Sequence, residues 1–313
     1  MTDSGLFLSS SPVVTVLGAG SIGFLYGIHL ARHCRVTLIG HNPERIRSIR
    51  DHGILFRENE TERRIYPVPI TLSGMLSESP DLVLVTLKAH QIQQAVEENK
   101  SLFMAGAPIV CLLMNGGDNA RFFKNLVPRE RLVLATTTHN AMTLPGNCIQ
   151  HTAGGITTLG PDGPAVHFTA RLLADSGFTT EIDPDIHRII WKKLFVNAVI
   201  NPLTAIHGVR NGEIARNPQY MPQICGILEE CLHAAHCEGF DFEENEILHH
   251  ILHIAENTAL GESSMLQDLH HGKTTEIDEI NGFIAEICKK HSIPCPYNRE
   301  LVKQVHSLEQ KAL

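Results

Sequence analysis

A glycine-rich turn between a strand and a helix constrains the fold of this chain more than any other stretch. The apolar run Val13–Leu17 leads into GAGSIG, which has the GxGxxG spacing, and a segment of helical period follows. The first glycine allows a tight bend, the second lets a pyrophosphate approach the backbone, and the third lets helix and strand pack closely. The helix N-terminus then faces the phosphates. The turn predicts a βαβ unit that binds a dinucleotide, with these candidate cofactor-binding residues: Gly18, Ala19, Gly20, Ser21, Ile22 and Gly23.

Short apolar runs alternate with helical segments through the first half of the chain. Runs such as DLVLVTL and PIVCLLMN are continuously apolar, which is typical of a parallel sheet covered by helices on both faces. Near residue 184 the strand signals fade, and we predict helices over 186–205, 221–238, 243–260 and 276–291. We therefore predict an α/β chain, with an N-terminal Rossmann-type dinucleotide-binding domain over 1–184 and an all-helical C-terminal domain over 185–313.

The composition is that of an ordinary globular protein and narrows the range of partners. Hydrophobic residues make up 43% of the 313 residues, and the formal net charge is -8. These values fit about two domains with buried cores. No strongly basic patch is present, so we predict no nucleic-acid partner. The start of the chain lacks a basic stretch before an apolar run, and we find no run of about 18 apolar residues, so we predict a cytoplasmic protein without a membrane partner.

The cysteines and histidines do not follow the spacings of disulfide-rich or zinc-binding proteins. The eight cysteines include no CxxC pair, and we interpret them as reduced, mostly buried thiols. The histidine-rich stretches CLHAAHC and LHHILH lack the HEXXH pattern and fit solvated helix faces. We therefore predict no metal site. The sequence leaves a homo-oligomer open.

The residues after the second predicted strand bear on the choice between NAD and NADP. An NAD enzyme usually has an acidic residue at this strand end, which binds the ribose hydroxyls. Here the strand RVTLIG is followed by HNPER. A 2′-phosphate would meet His41, Asn42 and Arg45, so the sequence favours NADPH as cofactor. The alternative for Arg45 is a solvated position on the helix surface.

Two further polar residues follow predicted strands of the same sheet. Lys88 comes just after LVLVTL, and Asn115 ends PIVCLLMN. Ligands of open α/β sheets bind at the carboxyl ends of the strands, so both are candidate ligand contacts. Each could instead cap the following helix.

A polar stripe runs along the first predicted helix of the C-terminal half. Lys193, Asn197 and Asn201 are spaced i, i+4 and i+8 and share one face of an otherwise apolar helix. Unpaired amides and an ammonium are costly against a dry core, so this face must meet water, polar groups or a ligand. Pro202 removes one backbone hydrogen bond at the end of the stripe. Asn211-Gly212 is interpreted as a turn that brings a further amide.

A solvent-facing stripe is the alternative, but exposed helix faces seldom repeat asparagine, a poor helix former. Further along, Ser264 and Glu276 stand at the starts of two segments in SSMLQDLHHGKTTEIDEINGF. From spacing alone, helix capping accounts for both.

Taken together, these motifs resemble the ketopantoate reductase family. The resemblance is carried by VTVLGAGSIG, LVLVTLKAHQ, NGG, TTTH, WKKLFVNAVINPLTAI, NGEI and SSMLQD…TEIDEINGF, and it extends from about Val13 to about Arg299. It implies a Rossmann domain followed by a helical domain, with the active site in the cleft. It also implies NADPH-dependent reduction of 2-dehydropantoate to (R)-pantoate, a step of pantothenate and coenzyme A synthesis.

The resemblance also implies roles for individual residues. Lys193 falls on the catalytic lysine of the family, and Glu276 on an acid that contacts the cofactor and supports activity. Lys88 and Ala141 fall on cofactor positions, and Asn115 on a position that contacts both ligands. The substrate-binding positions are Asn115, Lys193, Asn197, Asn201, Asn211 and Ser264. Members often have Arg directly after the second strand where this chain has His41, so NADP preference would rest on Arg45 and His41.

The residue types suit reduction of a 2-keto acid. Hydride addition turns the carbonyl into an alkoxide, which a nearby ammonium can stabilise and protonate, so Lys193 is the expected general acid. Asparagines bind hydroxyl and carbonyl oxygens without adding charge. Two alternatives stay open at this point: a reductase of another branched 2-keto acid with the same fold, and a dinucleotide-binding regulator without turnover.

Overall fold

The computed structural model describes residues 11–58, 62–76, 78–104 and 106–312, and the chain divides into two compact units. The sheet unit comprises Met1–Met114 and Asp118–Ile186, and the helical unit comprises Asn115–Gly117 and His187–Leu313. The fold is α/β, with a mainly parallel sheet in the first unit and helices in the second, as the sequence predicts. Asn115–Gly117 groups with the helical unit, and a Cβ at Gly117 would lie 2.1 Å from the Phe283 ring.

The main sheet of the sheet unit has eight strands in the order β12-β11-β8-β7-β6-β1-β2-β5. Its strands are β1 (Val13–Leu17), β2 (Arg35–Gly40), β5 (Ile70–Leu72), β6 (Leu82–Val85), β7 (Ile109–Leu113), β8 (Leu132–Thr137), β11 (Ile156–Gly160) and β12 (Thr179–Ile182). All neighbours pair in parallel except β8 and β11, which are antiparallel. The central strands β6 and β7 are buried along their whole length, because apolar cores cover both faces of the sheet.

The helices of the sheet unit cover this sheet. They are α1 (Ser21–Leu30), α2 (Pro43–His52), α3 (Ile92–Glu98), α4 (Lys100–Met104) and α5 (Pro164–Asp175). The stretch NPERIRSIRDHG predicts a helix with Asn42 as N-cap and Gly53 as stop, and helix α2 confirms both ends. The side chain of Asn42 accepts the backbone N–H of Arg45 at 2.9 Å, Pro43 occupies the first turn, and Gly53 ends the helix with a φ of 73°.

A second, four-stranded sheet with the order β4-β3-β10-β9 belongs to the same unit. Its strands are β3 (Ile54–Glu58), β4 (Glu62–Tyr66), β9 (Asn140–Leu144) and β10 (Cys148–Ala153). Of these strands, only β10 is predicted from the sequence, by the stretch CIQHTAG, which is interpreted as a short strand. The sheet is completed by the pairing of β10 with β3, which is distant from it in the chain. The pattern of neighbouring residues does not predict such a pairing.

The helical unit packs around one apolar core. Its helices are α6 (Ile186–His207), α7 (Asn211–Arg216), α8 (Met221–Cys237), α9 (Glu244–Asn257), α10 (Ser264–His270), α11 (Phe283–Lys290) and α12 (Pro296–Ala312), with a π-helical segment at Asp278–Gly282 before α11. The predicted helices over 186–205, 221–238 and 243–260 are confirmed within a few residues.

Two expectations for this region need correction. Asn211 and Gly212 do not form a turn but begin α7. Gly212 packs so closely against Ala259 that a Cβ there would lie 2.5 Å from the alanine Cβ. The predicted helix over 276–291 begins instead with the π-helical segment Asp278–Gly282, and the α-helix proper starts at Phe283.

Helix α6 bears on the expectation that the chain has no run of about 18 apolar residues, which holds because Arg188, Lys192 and Lys193 interrupt this helix. By length and composition α6 could cross a bilayer. In this fold 67% of its apolar window is buried inside the protein, as in the core helix of a globular domain. All eight cysteines are free thiols and six of them are buried, as expected from the sequence.

Candidate active site

The glycine turn is held by the next strand of the sheet. Thr86, directly after β6, donates its hydroxyl to the carbonyl oxygen of Gly18 at 2.9 Å, and Gly18 has a φ of 122°. A Cβ at Gly23 would lie 1.9 Å from that same carbonyl oxygen, so only glycine permits this approach of α1 to β1. At Gly20 a Cβ would meet nothing within 4 Å. This is the open backbone that a pyrophosphate needs.

A cleft of about 300 Å³ lies at this turn, within the sheet unit. Its lining includes these predicted cofactor residues: Gly18, Ala19, Gly20, His41, Arg45 and Lys88. The sheet topology explains the grouping, because β1, β2 and β6 are parallel neighbours and their carboxyl ends meet at one edge. Ser21, Ile22 and Gly23 lie in the first turn of α1, behind the lining.

Arg45 brings a positive charge into the lining of this cleft. Its guanidinium lies 5.4 Å from the centroid of the Phe24 ring, and its Nη2 atom is buried without a hydrogen-bond partner. Burial lowers the pKa of Arg45, which means that the charge is partly desolvated. A buried guanidinium nitrogen without an acceptor is destabilising, and an anionic oxygen in the cleft would satisfy it. The solvated position considered for Arg45 therefore does not fit.

Two polar residues that line this cleft, Thr86 and Glu98, are not predicted from the sequence as site residues. Thr86 is read only as the end of a strand, although it fixes the Gly18 carbonyl. Glu98 brings an acidic group into the lining, where Gln94 donates to its Oε1 at 2.7 Å. The pKa of Glu98 is lowered by hydrogen bonds from Ser73 and Gln94 and by His41. Glu98 is 58 residues beyond the strand end at Gly40, so the local pattern after β2 gives no sign of it.

Ala141 is placed apart from the other predicted cofactor residues. It lies on β9 of the four-stranded sheet, opposite His151 of β10, and is half-buried against the core that also contacts Ala19 and Ile22. It does not line the cleft of the glycine turn. Its contact with a cofactor stays a prediction.

The helical unit brings Lys193, Asn115 and Glu276 together. Nδ2 of Asn115 donates to Oε2 of Glu276 at 3.1 Å. Burial lowers the pKa of Lys193 from 10.5 to about 8, while the carboxylate of Glu276 acts in the opposite direction and raises it. Lys193 therefore sits where its ammonium and amine forms are close in free energy at neutral pH. These three residues are 161 positions apart at most, and only the fold unites them.

The backbone on both sides of Glu276 is fixed. The carbonyl oxygen of Glu276 accepts the N–H of Ile280 at 3.1 Å, and the N–H of Thr275 is donated to Oε1 of Glu309 on α12 at 2.8 Å. Thr275, not Glu276, caps the following turn, since its hydroxyl accepts the N–H of Ile277 at 3.3 Å. Glu276 is thus released from capping and presents its carboxylate to other groups.

The remaining polar residues of the helical unit differ in exposure. Asn197 is half-buried, whereas Asn201 and Asn211 are buried. Nδ2 of Asn211 donates to Oγ1 of Thr258 at 3.0 Å, and its Oδ1 is buried without a partner. Such an unsatisfied amide oxygen is a ready acceptor for a ligand hydroxyl. The polar face predicted along α6 is thus mostly withdrawn from solvent.

Ser264 is exposed at the start of α10, and the capping role falls to its neighbour. Ser263 is buried, and its Oγ accepts the N–H of Leu266 at 3.2 Å and the hydroxyl of Thr204 at 2.7 Å. The hydroxyl of Ser264 is therefore not committed to the cap. In the part of the chain that the structure describes, no group of three or more His, Cys, Asp or Glu side chains is arranged to hold a metal ion.

Comparison with known proteins identifies relatives for nearly the whole chain. The sequence model "Ketopantoate reductase PanE/ApbA" matches residues 14–163, and "Ketopantoate reductase PanE/ApbA C terminal" matches residues 185–309. A curated 2-dehydropantoate 2-reductase of Shigella flexneri is 34% identical over 307 residues, which cover 95% of each chain. One from Halobacterium salinarum is 29% identical and covers 93% of this chain and 97% of its own.

Solved structures with the same fold include enzymes of two names. A D-mandelate dehydrogenase in a ternary structure with NADH and anilino(oxo)acetate has a TM-score of 0.90 and 26% identity, covering 96% of this chain and 99% of its own. A PanE/ApbA family ketopantoate reductase from Ralstonia eutropha JMP134 has a TM-score of 0.87 and 27% identity, with the same coverages.

Proposed function

The chain belongs to the ketopantoate reductase PanE/ApbA family, and on that premise we propose that it reduces 2-dehydropantoate to (R)-pantoate with NADPH. The observation that carries the proposal is the half-buried Lys193, whose pKa of about 8 and neighbour Glu276 suit a general acid. The reaction would take place in the cytoplasm as a step of pantothenate and coenzyme A synthesis.

The residues of the sheet unit fit a nicotinamide dinucleotide. The cradle at Gly18 and Gly23, the open backbone at Gly20 and the partnerless Nη2 of Arg45 match a pyrophosphate and an anionic group on the ribose. The exposed side chain of His41 and the half-buried Lys88 add donors along the same cleft. When bound, the cofactor supplies a hydride to the carbonyl carbon of the substrate. Arg45 supports NADPH over NADH, because a 2′-phosphate gives its buried guanidinium an acceptor.

Lys193 would complete the reduction by moving one proton. As the hydride bonds to the keto carbon, the π electron pair of the carbonyl moves onto oxygen, and the Lys193 ammonium donates a proton from Nζ to this oxygen. The product is a hydroxyl group and a neutral lysine, which recovers a proton from solvent. Glu276 stabilises the ammonium form before the step, since its carboxylate raises the pKa of Lys193.

The amides would orient the substrate without adding charge. Asn197, Asn201 and the buried Oδ1 of Asn211 offer donors and acceptors for the hydroxyl and keto oxygens, and the exposed hydroxyl of Ser264 offers a donor to the carboxylate. Asn115 is proposed to contact both ligands while it holds Glu276 through its Nδ2. Correct orientation of the keto carbon contributes to the rate because it replaces a random encounter.

The test is oxidation of NADPH by purified protein with ketopantoate, followed by the absorbance of the reduced nicotinamide. We expect turnover that requires ketopantoate and is faster with NADPH than with NADH. A parallel panel would contain pyruvate, 2-oxoisovalerate and phenylglyoxylate. Faster turnover of a panel member would assign the chain to another 2-keto acid, and tight NADPH binding without any turnover would favour a regulator.

A further inference from the structure

One backbone hydrogen bond is missing from helix α6, at the end of its polar stripe. Pro202 lies inside the helix, between Asn201 and the last turn, and proline has no backbone N–H. In a regular α-helix the N–H of residue 202 would be donated to the carbonyl oxygen of Ala198. Ala198 is 0% exposed, so water does not replace the missing donor. A buried carbonyl without a donor destabilises a helix at that point.

The side chain of Asn281 supplies this donor from another segment. Its Nδ2 donates one hydrogen to the carbonyl oxygen of Ala198 at 2.9 Å and the other to Oδ1 of Asn298 at 2.9 Å. Asn281 is 0% exposed, and its own Oδ1 is buried without a partner. The unsatisfied Oδ1 of Asn281 is destabilising, and the two hydrogen bonds donated by its Nδ2 offset this cost.

The orientation of Asn281 is fixed from behind by the start of α12. Asn298 donates to Oε2 of the buried Glu230 through both its Nδ2, at 2.7 Å, and its backbone N–H, at 2.9 Å. The other carboxylate oxygen of Glu230 accepts the N–H of Tyr297 at 2.8 Å. With Asn298 held in this way, its Oδ1 fixes which way the amide of Asn281 points.

Asn281 also belongs to the segment that follows Glu276. It lies in the π-helical stretch Asp278–Gly282, whose first turn closes on the carbonyl of Glu276 through Ile280. Segments of this kind often occur at functional sites. One buried side chain thus joins this segment to α6 at Ala198, between Asn197 and Asn201 and five residues after Lys193.

We propose that Asn281 is a positioning residue for the reduction: by replacing the N–H that Pro202 lacks, it holds the lysine-bearing helix and the Glu276 segment in one register. The inference rests on the proposed function for its kinetic part only. It predicts an energetic link between residues 281 and 202, because an alanine at 202 restores a backbone donor for the Ala198 carbonyl.

The test is a double-mutant cycle of Asn281→Ala and Pro202→Ala in the full-length protein. It is measured by kcat and KM with ketopantoate and by amide hydrogen exchange in α6. In the wild-type background we expect Asn281→Ala to lower kcat about 10-fold to 100-fold, as expected for a small misplacement of catalytic groups. The same substitution should speed amide hydrogen exchange in α6. In the Pro202→Ala background the same change should lower kcat no more than about 3-fold. If Asn281→Ala alone does not fold, the double variant should fold and turn over.

Ile251→Ala is the matched control, since it removes buried volume from α9 in the same unit without touching the Ala198 carbonyl. We expect it to lower Tm and to leave kcat within about 2-fold of wild type. Additive effects of the two changes on kcat, or a double variant that does not fold, would overturn the inference. A wild type that reduces none of the keto acids would refute the proposed function instead, and the exchange cycle alone would then decide whether Asn281 serves the Ala198 carbonyl.

Discussion

The two units form their candidate sites from different kinds of atoms, backbone in the sheet unit and side chains in the helical unit. In the sheet unit one end of the cleft is formed by backbone: a glycine turn, a carbonyl held by Thr86 and the ends of parallel strands. In the helical unit the site consists of side chains, with one amine, one carboxylate and several amides on or near α6. A backbone site tolerates little change in shape, whereas a side-chain site depends on the charge and protonation of a few groups.

Among substitutions in the two units, the largest loss of activity is expected at Lys193 of the helical unit. Lys193→Ala removes the proposed proton donor, so we expect kcat to fall about 100-fold to 10,000-fold. The Kd for NADPH, measured by fluorescence titration, should change little because the cofactor cleft belongs to the sheet unit. The matched control is Lys192→Ala, where the lysine pairs with Glu246 at 2.6 Å on the surface. Equal losses in both variants would remove the special role of Lys193.

In the sheet unit, substitutions of the glycine turn should act through steric fit. Gly23→Ala places a Cβ 1.9 Å from the Gly18 carbonyl oxygen, so we expect a lower Tm and a Kd for NADPH raised about tenfold or more, equivalent to ~1.4 kcal/mol. Gly20→Ala meets no atom of the protein within 4 Å and should keep the Tm of wild type, with any loss confined to cofactor binding. An unchanged Tm for Gly23→Ala in thermal unfolding would contradict the geometry.

A smaller effect on cofactor binding is expected when the charged side chain of Arg45 is removed from the cleft of the sheet unit. Arg45→Gln removes the buried guanidinium, and we expect the Kd for NADPH to rise about tenfold, as for loss of a charge-assisted hydrogen bond, while the Kd for NADH stays the same. Arg47→Gln, on the exposed face of the same helix, is the control. Calorimetric titration of both cofactors measures the difference, and equal losses for NADPH and NADH would assign Arg45 to a part of the cofactor that the two share.

The mildest effect concerns pH. Because the pKa of Lys193 is about 8, its ammonium form is complete at lower pH and is lost as the pH rises through that value, so kcat should be flat below and should fall above it. Glu276→Gln removes the carboxylate that raises this pKa, and the fall in the remaining activity should therefore begin at lower pH. A pH profile of kcat for both proteins checks the sign. A fall that begins at the same or a higher pH in Glu276→Gln would show that the carboxylate does not raise the pKa of Lys193.

Local patterns were sufficient for the parts of the molecule that neighbouring residues define. GxGxxG between a strand and a helix, the cap at Asn42 and the i, i+4, i+8 stripe are all properties of short stretches, and the fold class and helix α6 follow from them. The resemblance to a family then supplied roles for Lys193 and Glu276, which no spacing rule assigns. The order of the alternating strands and helices was enough to predict a parallel sheet, because β-α-β connections favour that arrangement.

Pairings between distant residues were decided by the tertiary structure alone. The contact of Asn115 with Glu276, the position of Glu98 in the cleft and the donor that Asn281 offers to Ala198 all bring together residues from separate segments. A hydrogen bond or a shifted pKa depends on which groups meet and how much water they exclude, and neither quantity is local in the sequence. The sequence determined which side chains were present for chemistry, and the fold decided which of them met and in what protonation state.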